Sequence, residues 1–234
     1  MARRSGLNNG LRGVFVTGTG TEVGKTVVAA AIARAGAADG RRVAVLKPAV
    51  TGLDEPGEAD HEFLRRAAVG EQSDDEIAPY RYGPPASPHL AAELAGERIE
   101  PRRLVESARR AGGDGAFLVC EGVGGLMVPL APRYMVRDFA RELGLPLVVA
   151  APPGLGTINH TLLTLEAARA ASLSVAWVVL TPWPERPDAV QLSNRETLEE
   201  LGAAPVATMG PLDLERPQGW PALPEPLAGL LGGG

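Results

Sequence analysis

Residues 14–26 read VFVTGTGTEVGKT, an apolar run of the strand type that opens into a glycine-rich loop and closes with Gly24, Lys25 and Thr26 at the mouth of a helix. Such a loop offers a polyphosphate consecutive backbone N–H groups, a helix N-terminus and one lysine, and leaves a threonine hydroxyl for the accompanying Mg²⁺. The spacing departs from the common GxxxxGK[ST] pattern: Gly18 lies six residues before Gly24, and Thr19 stands where glycine is usual. A bare glycine-rich match is equally a tight strand-to-helix turn. Here the strand upstream (Val14, Phe15, Val16) and the alanine-rich helix expected over residues 27–38 supply the context that phosphate binding requires.

Strand-type runs recur at 14–17, 42–46, 116–120, 147–151, 175–180 and 205–207, with helical patterns between most of them. That alternation is the βαβ rhythm of a parallel sheet. The runs FLVC, LPLVVAA and VAWVVL are apolar without interruption, as in strands covered by helices on both faces. The expected fold is α/β, a P-loop NTPase-type parallel sheet with helices on both faces, in a single domain over 13–234 preceded by a disordered leader over 1–12. At 234 residues and 45% hydrophobic, the chain can bury one full core. The leader MARRSGLNNGLRG is basic but has no apolar segment before a cleavage site, and no apolar run approaches the ~20 residues of a membrane span. The reading is a cytoplasmic protein with no membrane partner. A net charge of −5, with Lys and Arg in short pairs rather than a stripe, argues against nucleic acid and for small-molecule partners. The single cysteine, Cys120, excludes an intrachain disulfide and a cysteine-rich zinc site, and its apolar strand assigns it to the core.

In such a sheet the functional loops gather at the C-terminal ends of the strands. Three of those ends carry polar residues: Lys47-Pro48 followed by AVTG, Glu121 followed by Gly122-Val123-Gly124-Gly125, and the segment PPGLGTINH. Alone, a lysine at a strand end is a solvated edge and a glutamate before glycines is a turn residue. Placed together at the phosphate-loop edge of one sheet they acquire roles. Lys25 and Lys47 can both meet the negative charge of a transferring phosphoryl group. Mg²⁺ takes hard oxygen ligands and keeps several waters, so Thr26 with one or two carboxylates suffices; Glu121 stands where a metal-supporting acid belongs, and Asp60 is a second candidate.

The blocks VTGTGTEVGKT, KPAVTG, ASPHLAA, EGVGG and GLGTINHTLLT stand in this order over roughly residues 13–170, and in them the chain resembles the dethiobiotin synthetases of biotin biosynthesis. The resemblance implies a homodimeric ligase that joins CO₂ to 7,8-diaminononanoate with ATP and Mg²⁺, through a carbamate and a carbamic-phosphoric anhydride. It implies that Lys47 is catalytic and that Thr21, Glu22, Val23, Gly24, Lys25, Thr26 and Val27 form the phosphate loop. Glu121, Gly122, Val123 and Gly124, with Met209, Gly210 and Pro211 nearer the base, would complete the nucleotide site, and Mg²⁺ would lie on Thr26, Asp60 and Glu121. Thr51 would stand beside the diamine, Leu155, Gly156, Thr157, Ile158 and Asn159 would complete the neighbouring subunit's substrate site, and Asn194 would add a polar contact. From the residues themselves, a helix opening at GLGTINH presents free N–H groups and a positive dipole end that suit a substrate carboxylate. Read on its own, Thr157 is equally a plain N-cap for the helix from Ile158 onward.

Two positions depart from the family pattern. Gly20 replaces an acid, which removes one carboxylate from the loop. Leu180-Thr181-Pro182 follows the fifth strand where many members have Asn-Asp for the adenine, so triphosphate use is expected and preference for ATP over CTP or others is open. A ParA/MinD-like dimeric regulatory ATPase is the alternative, but it needs a second lysine early in the loop, at Gly20; a regulatory GTPase would need NKxD, which the sequence lacks. None of the three histidines has metal-ligand company: His61 and His89 are expected to be solvated, and His160 to pack or cap a helix. Met127 and Phe139 are assigned to the core. From Gly210 onward five prolines and the closing glycines leave little periodicity, and the final glycines are expected to be disordered.

Overall fold

The computed structural model describes residues 10–202 and 204–232. In chain order the elements are β1 (Arg12–Gly18), α1 (Lys25–Ala38), β2 (Val43–Leu46), α2 (Asp60–Ala68), α3 (Asp74–Ile77), α4 (Pro88–Leu94), α5 (Pro101–Ala111), β3 (Phe117–Glu121), β4 (Pro129–Ala131), β5 (Tyr134–Met135), α6 (Val136–Leu143), β6 (Leu147–Ala151), α7 (Thr157–Ala170), β7 (Val175–Leu180), α8 (Ala189–Leu201), β8 (Val206–Thr208) and α9 (Glu225–Gly232). Six strands form one sheet in the order β2-β3-β1-β6-β7-β8, and every pairing is parallel. Among the described residues no helix is long and apolar enough to cross a membrane.

Alternation along each strand sends side chains to opposite faces. In β1, Val14 and Val16 join the cluster of α1, α2 and α9, while Phe15 joins that of α4, α5 and α6. In β6, Val148 and Ala150 face α1, whereas Val149 and Ala151 pack with Leu165 of α7 and Leu198 of α8. Helices therefore cover both faces, which is why these strands are apolar throughout. Phe139 is fully buried, its ring edge-on to Phe15 at 5.9 Å. In α6, Val136, Phe139, Ala140 and Leu143 are the buried residues, the spacing of a single inward stripe. Cys120 is buried in β3, and burial together with Glu121 pushes its thiol well up, which makes it inert.

β6 and β7 occupy the expected ranges; β2 starts one residue later than expected, and β8 is shifted by one. β3 is likewise shifted by one, from 116–120 to Phe117–Glu121, and so takes in Glu121; β1 begins at Arg12, inside the expected leader, whose residues 1–9 lie outside those described. The hairpin β4/β5 was not expected, since strands of three and two residues are too short to show a period. The C-terminal segment is more regular than its prolines imply: a single turn at Pro217–Gly219 leads into α9, where Leu227 and Leu231 are buried beside α1. Gly232 closes α9, and Gly233 and Gly234 lie outside the described residues.

Two expectations about single residues are corrected. Met127 is 52% exposed, because it sits in the loop between β3 and β4 rather than on an inward face. His61 is 4% exposed, because it lies on the inward stripe of α2 with Leu64 and Ala68, its Nε2 3.9 Å from Asp74.

β2 is an edge strand, and its outer backbone is occupied. The Gln72 side-chain amide accepts from Val45 N at 2.8 Å and donates to Val45 O at 3.1 Å. Beyond it Lys47 N donates to Ile77 O, Val50 N to Tyr80 O, and Tyr82 N back to Val50 O. This ladder carries residues 77–82 along the edge and brings the loops on either side of α2 and α3 to the phosphate-loop end of the sheet.

β1 and β3 pass so closely at Gly13, opposite Leu118 in the register, that a Cβ there would lie 1.9 Å from Leu118 O, and its φ of +149° disfavours any side chain. Gly13→Ala is expected to lower stability by on the order of 3 kcal/mol, read as a shift of the urea midpoint without change of slope. Burial holds the His61 imidazole below its ordinary value, with Asp74 opposing. Such a group contributes stability that is fully present above the unfolded value of about 6.5 and is lost as pH falls through the lower folded value. Urea midpoints between pH 5 and 8 are expected to fall on the acid side in the native sequence and to flatten in His61→Leu.

Candidate active site at the phosphate loop

The loop between β1 and α1 crosses the C-terminal end of the sheet. Glu22 has φ +58° and Gly24, the residue before α1, φ +88°. A Cβ at Gly24 would lie 2.7 Å from Thr181 Cγ2, so only glycine lets the loop pass under the segment that follows β7. Lys25 Nζ donates to Gly20 O at 2.7 Å and so closes the loop on itself. No acidic side chain stands in the first turn of α1, leaving its N-terminus to an external anion.

Beside the loop four side chains from four separate segments meet. Lys47 follows β2, Glu121 ends β3, Thr26 opens α1 and Asp60 opens α2. Lys47 Nζ donates to Glu121 Oε1 at 2.8 Å and to Asp60 Oδ2. Thr26 Oγ1 lies 2.9 Å from Glu121 Oε1 and 3.1 Å from Asp60 Oδ1. Glu121 has no exposure. The sheet order puts β2, β3 and β1 side by side, so Lys47, Glu121 and the phosphate loop come from three adjacent strand ends.

Burial shifts each charge, and the partners decide the outcome. Burial lifts the Glu121 carboxyl above the usual range, aided by Asp60 and opposed by Lys47. Burial would lower Lys47, but the two carboxylates outweigh it and hold the ammonium above its ordinary value. Burial would raise Asp60, but Lys47 and Thr26 bring it below the usual carboxylate value. Lys25 lacks such close acidic partners, and burial holds it low against the pull of Glu121.

The donor set suits a hard divalent cation. Glu121 Oε2 is buried with no hydrogen-bond partner among the described residues, and an orphaned carboxylate oxygen beside a threonine hydroxyl and a second carboxylate is what Mg²⁺ accepts. Among the described residues no group of three or more His, Cys, Asp and Glu could hold a metal, so the set fits an ion that keeps waters and takes further oxygens from phosphate, not a closed protein cage.

A cleft of about 660 Å³ opens over this cluster. Of the expected residues it is lined by Thr21, Glu22, Gly24, Lys25, Thr26, Val27, Lys47, Thr51, Asp60, Glu121, Val123 and Gly124. Val23 packs beneath the loop against Gly18, and Gly122 N donates to Val16 O at 2.8 Å. The far wall was not expected: Gly52 and Glu55 on one loop, and Pro85, Ala86, Ser87 and Pro88 at the head of α4. The block ASPHLAA contains Ala86, Ser87 and Pro88, so for these the signal was present without an assigned role.

Other expected residues lie away from this cleft in the single chain. Met209, Gly210 and Pro211 line a separate cavity of about 320 Å³ with the later turns of α1, Trp220 and Leu223. At the head of α7 Leu155 is 96% exposed, and Gly156 and Asn159 are exposed with Ile158 half-buried. Thr157 is not the N-cap: Gly156 holds that position, and Thr157 is buried with its Oγ1 3.4 Å from Thr161 Oγ1. His160 is exposed rather than packed or capping, because the first turn of α7 turns it to the surface; His89 is half-buried, its Nδ1 3.1 Å from Ser87 Oγ. Asn194 is buried and donates to Pro153 O at 2.9 Å and Gly154 O at 3.0 Å, fixing the loop ahead of α7. Leu180 is fully buried in the cluster of Val149, Ala151 and Leu165.

The chain matches a family described as AAA domain over residues 12–215. It is 44% identical to the ATP-dependent dethiobiotin synthetase BioD of Anaeromyxobacter dehalogenans, a match covering 85% of this chain and 90% of the relative. The protein of the same name from Mycobacterium sp. strain KMS is 40% identical, with 93% and 99% covered, and that of Bacillus subtilis is 33% identical, with 86% and 87% covered.

Metal binding requires deprotonated carboxylates. With Glu121 held above the usual range, affinity for a Mg²⁺–nucleotide complex is expected to fall on acidification earlier than an ordinary carboxylate would make it. Calorimetric titrations from pH 8 to 5 check this, and Glu121→Gln is expected to bind about 10- to 100-fold more weakly at neutral pH and to lose that pH dependence.

Proposed function

The chain belongs to the family of ATP-dependent dethiobiotin synthetases, and from that membership we propose that it joins CO₂ to 7,8-diaminononanoate at the expense of a nucleoside triphosphate, closing the cyclic urea of dethiobiotin. The observation that carries this reading is the cluster of Lys47, Glu121, Asp60 and Thr26 beside the phosphate loop, four side chains from separate segments drawn to one point. A regulatory ATPase reading has no comparable support, since the position where it needs a lysine is Gly20.

The diamine captures CO₂ on one amine as a carbamate. The carbamate oxygen attacks the γ-phosphorus, the bridging oxygen leaves with the nucleoside diphosphate, and the product is a carbamic-phosphoric anhydride. The second amine then attacks the carbonyl carbon, phosphate departs, and the ring closes. The protein positions these groups and meets their charge. The backbone N–H groups of residues 21–27 and the Lys25 ammonium hold the phosphates; Lys47 meets the carbamate oxygen and the transferring group. Mg²⁺, held by Thr26, Asp60 and Glu121, would neutralise phosphate oxygens when bound. Thr51 and the far wall of the cleft face the diamine.

We place the substrate's carboxylate at the head of α7 of a second subunit in a homodimer. Leu155, in the loop ahead of α7, is 96% exposed, and Asn159 and Leu163, four residues apart within the helix, are exposed as well, Leu163 at 60%, a surface suited to pairing. Asn194 then acts by holding the loop that presents this helix. With no membrane partner and no nucleic acid in the chemistry, we assign the enzyme to the cytoplasm.

Purified protein with Mg²⁺, bicarbonate and the diamine is expected to release phosphate and form dethiobiotin, detected by mass. Lys47→Ala is expected to lower kcat by roughly 10²- to 10³-fold, the scale of one lost charge-stabilising donor. No dethiobiotin with any triphosphate from folded protein would sink the assignment. Because Leu180 is turned into the core, ATP is expected to exceed CTP in kcat/KM by no more than about tenfold.

A further inference from the structure

An ammonium that meets a transferring phosphoryl group must have N–H bonds free to give. Two of the three N–H bonds of Lys47 are engaged elsewhere: it donates to Glu121 and Asp60, which pin the ammonium between them, and its side chain is only 5% exposed. These are the same two carboxylates that Thr26 Oγ1 approaches, and the set assigned above to Mg²⁺. One cation thus rests on the oxygens that a second cation needs.

The choice of residue bears on this independently. Lys25 and Lys47 are the only lysines in the sequence; the other 21 of its 23 basic residues are arginines. Both lysines line this cleft. Arginine, with its rigid fork, is suited to a fixed buried pair with carboxylates, whereas an ammonium on a flexible four-carbon stem is a compact charge that can change partners. A chain that otherwise uses arginine keeps lysine where a cation must move.

We propose that Lys47 is a counter-ion switch: in the nucleotide-free protein its ammonium holds Asp60 and Glu121 together, and arrival of a divalent cation with the triphosphate takes over these carboxylates and frees Lys47 for the phosphoryl group. This rests on the reading of Lys47 as catalytic and adds an order of events to it. The lysine becomes available only once the metal–nucleotide complex is seated. By linkage, metal and ammonium oppose each other equally in both directions.

Binding of Mn²⁺ alone, followed by electron paramagnetic resonance without nucleotide, compares the native protein with Lys47→Met. The variant is expected to bind Mn²⁺ about 10-fold more tightly or better, within the range of linked-site couplings. Equal or weaker binding by folded Lys47→Met overturns the switch. A second measurement needs no change at Lys47. Protein labelled with ¹⁵N at lysine Nζ carries two side-chain signals, assigned through Lys25→Arg. Saturation with Mg²⁺ and a non-hydrolysable ATP analogue is expected to shift the Lys47 signal and speed its proton exchange with water; an unmoved signal overturns the proposal. Neither titration contains diamine or bicarbonate, so their failure leaves dethiobiotin formation standing, and failure of that assay leaves them readable.

Discussion

Glu121 is a carboxylate with no access to water, and the working end of the molecule is arranged around its neutralisation. An isolated buried charge of this kind is penalised by several kcal/mol unless paired and hydrogen-bonded. The sheet order answers the requirement. Because β3 lies between β2 and β1, the residue after β2 and the loop after β1 both arrive beside the end of β3. Lys47 and Thr26 are thereby delivered by the topology, and α2 adds Asp60 from outside the sheet. A different strand order would leave Glu121 without its partners.

The two lysines of the cleft are pulled in opposite directions by their surroundings. Lys47, between two carboxylates, is held firmly charged, whereas Lys25 is held low by burial and bonds to a neutral carbonyl in its own loop. Opposed environments for like groups are a usual sign of divided labour in a site. Here one ammonium completes a cradle and the other balances buried acids.

What could be read from the chain follows from what is local. β6 and β7 stand where their unbroken apolar runs place them, and Lys47, Glu121 and Thr26 were visible because strand ends and a phosphate loop have sequence signatures. The hairpin β4/β5 and α9 were not, since one is shorter than any period and the other sits among prolines. His61 had a legible signal that went unused, its three- and seven-residue spacing from Leu64 and Ala68 in α2. The far wall of the cleft had a signal only for Ala86, Ser87 and Pro88, in the block ASPHLAA, and none for how it reaches the site. Its residues reach the phosphate loop through backbone bonds between residues 50–54 and 80–84, a long-range pairing that no window of sequence displays.

That pairing, with the Gln72 amide bound to both backbone groups of Val45, has a bearing on how copies of the chain can meet. An open outer strand in a parallel sheet is a template for continuing the sheet into another molecule, the route to fibrils and to runaway association. On β2 the template is already filled from within: a side-chain amide mimics one residue of a neighbouring strand and residues 77–82 supply the rest. Growth of the sheet past β2 is closed off at the same edge that carries Lys47, so a second copy cannot extend the sheet on the side of the phosphate loop.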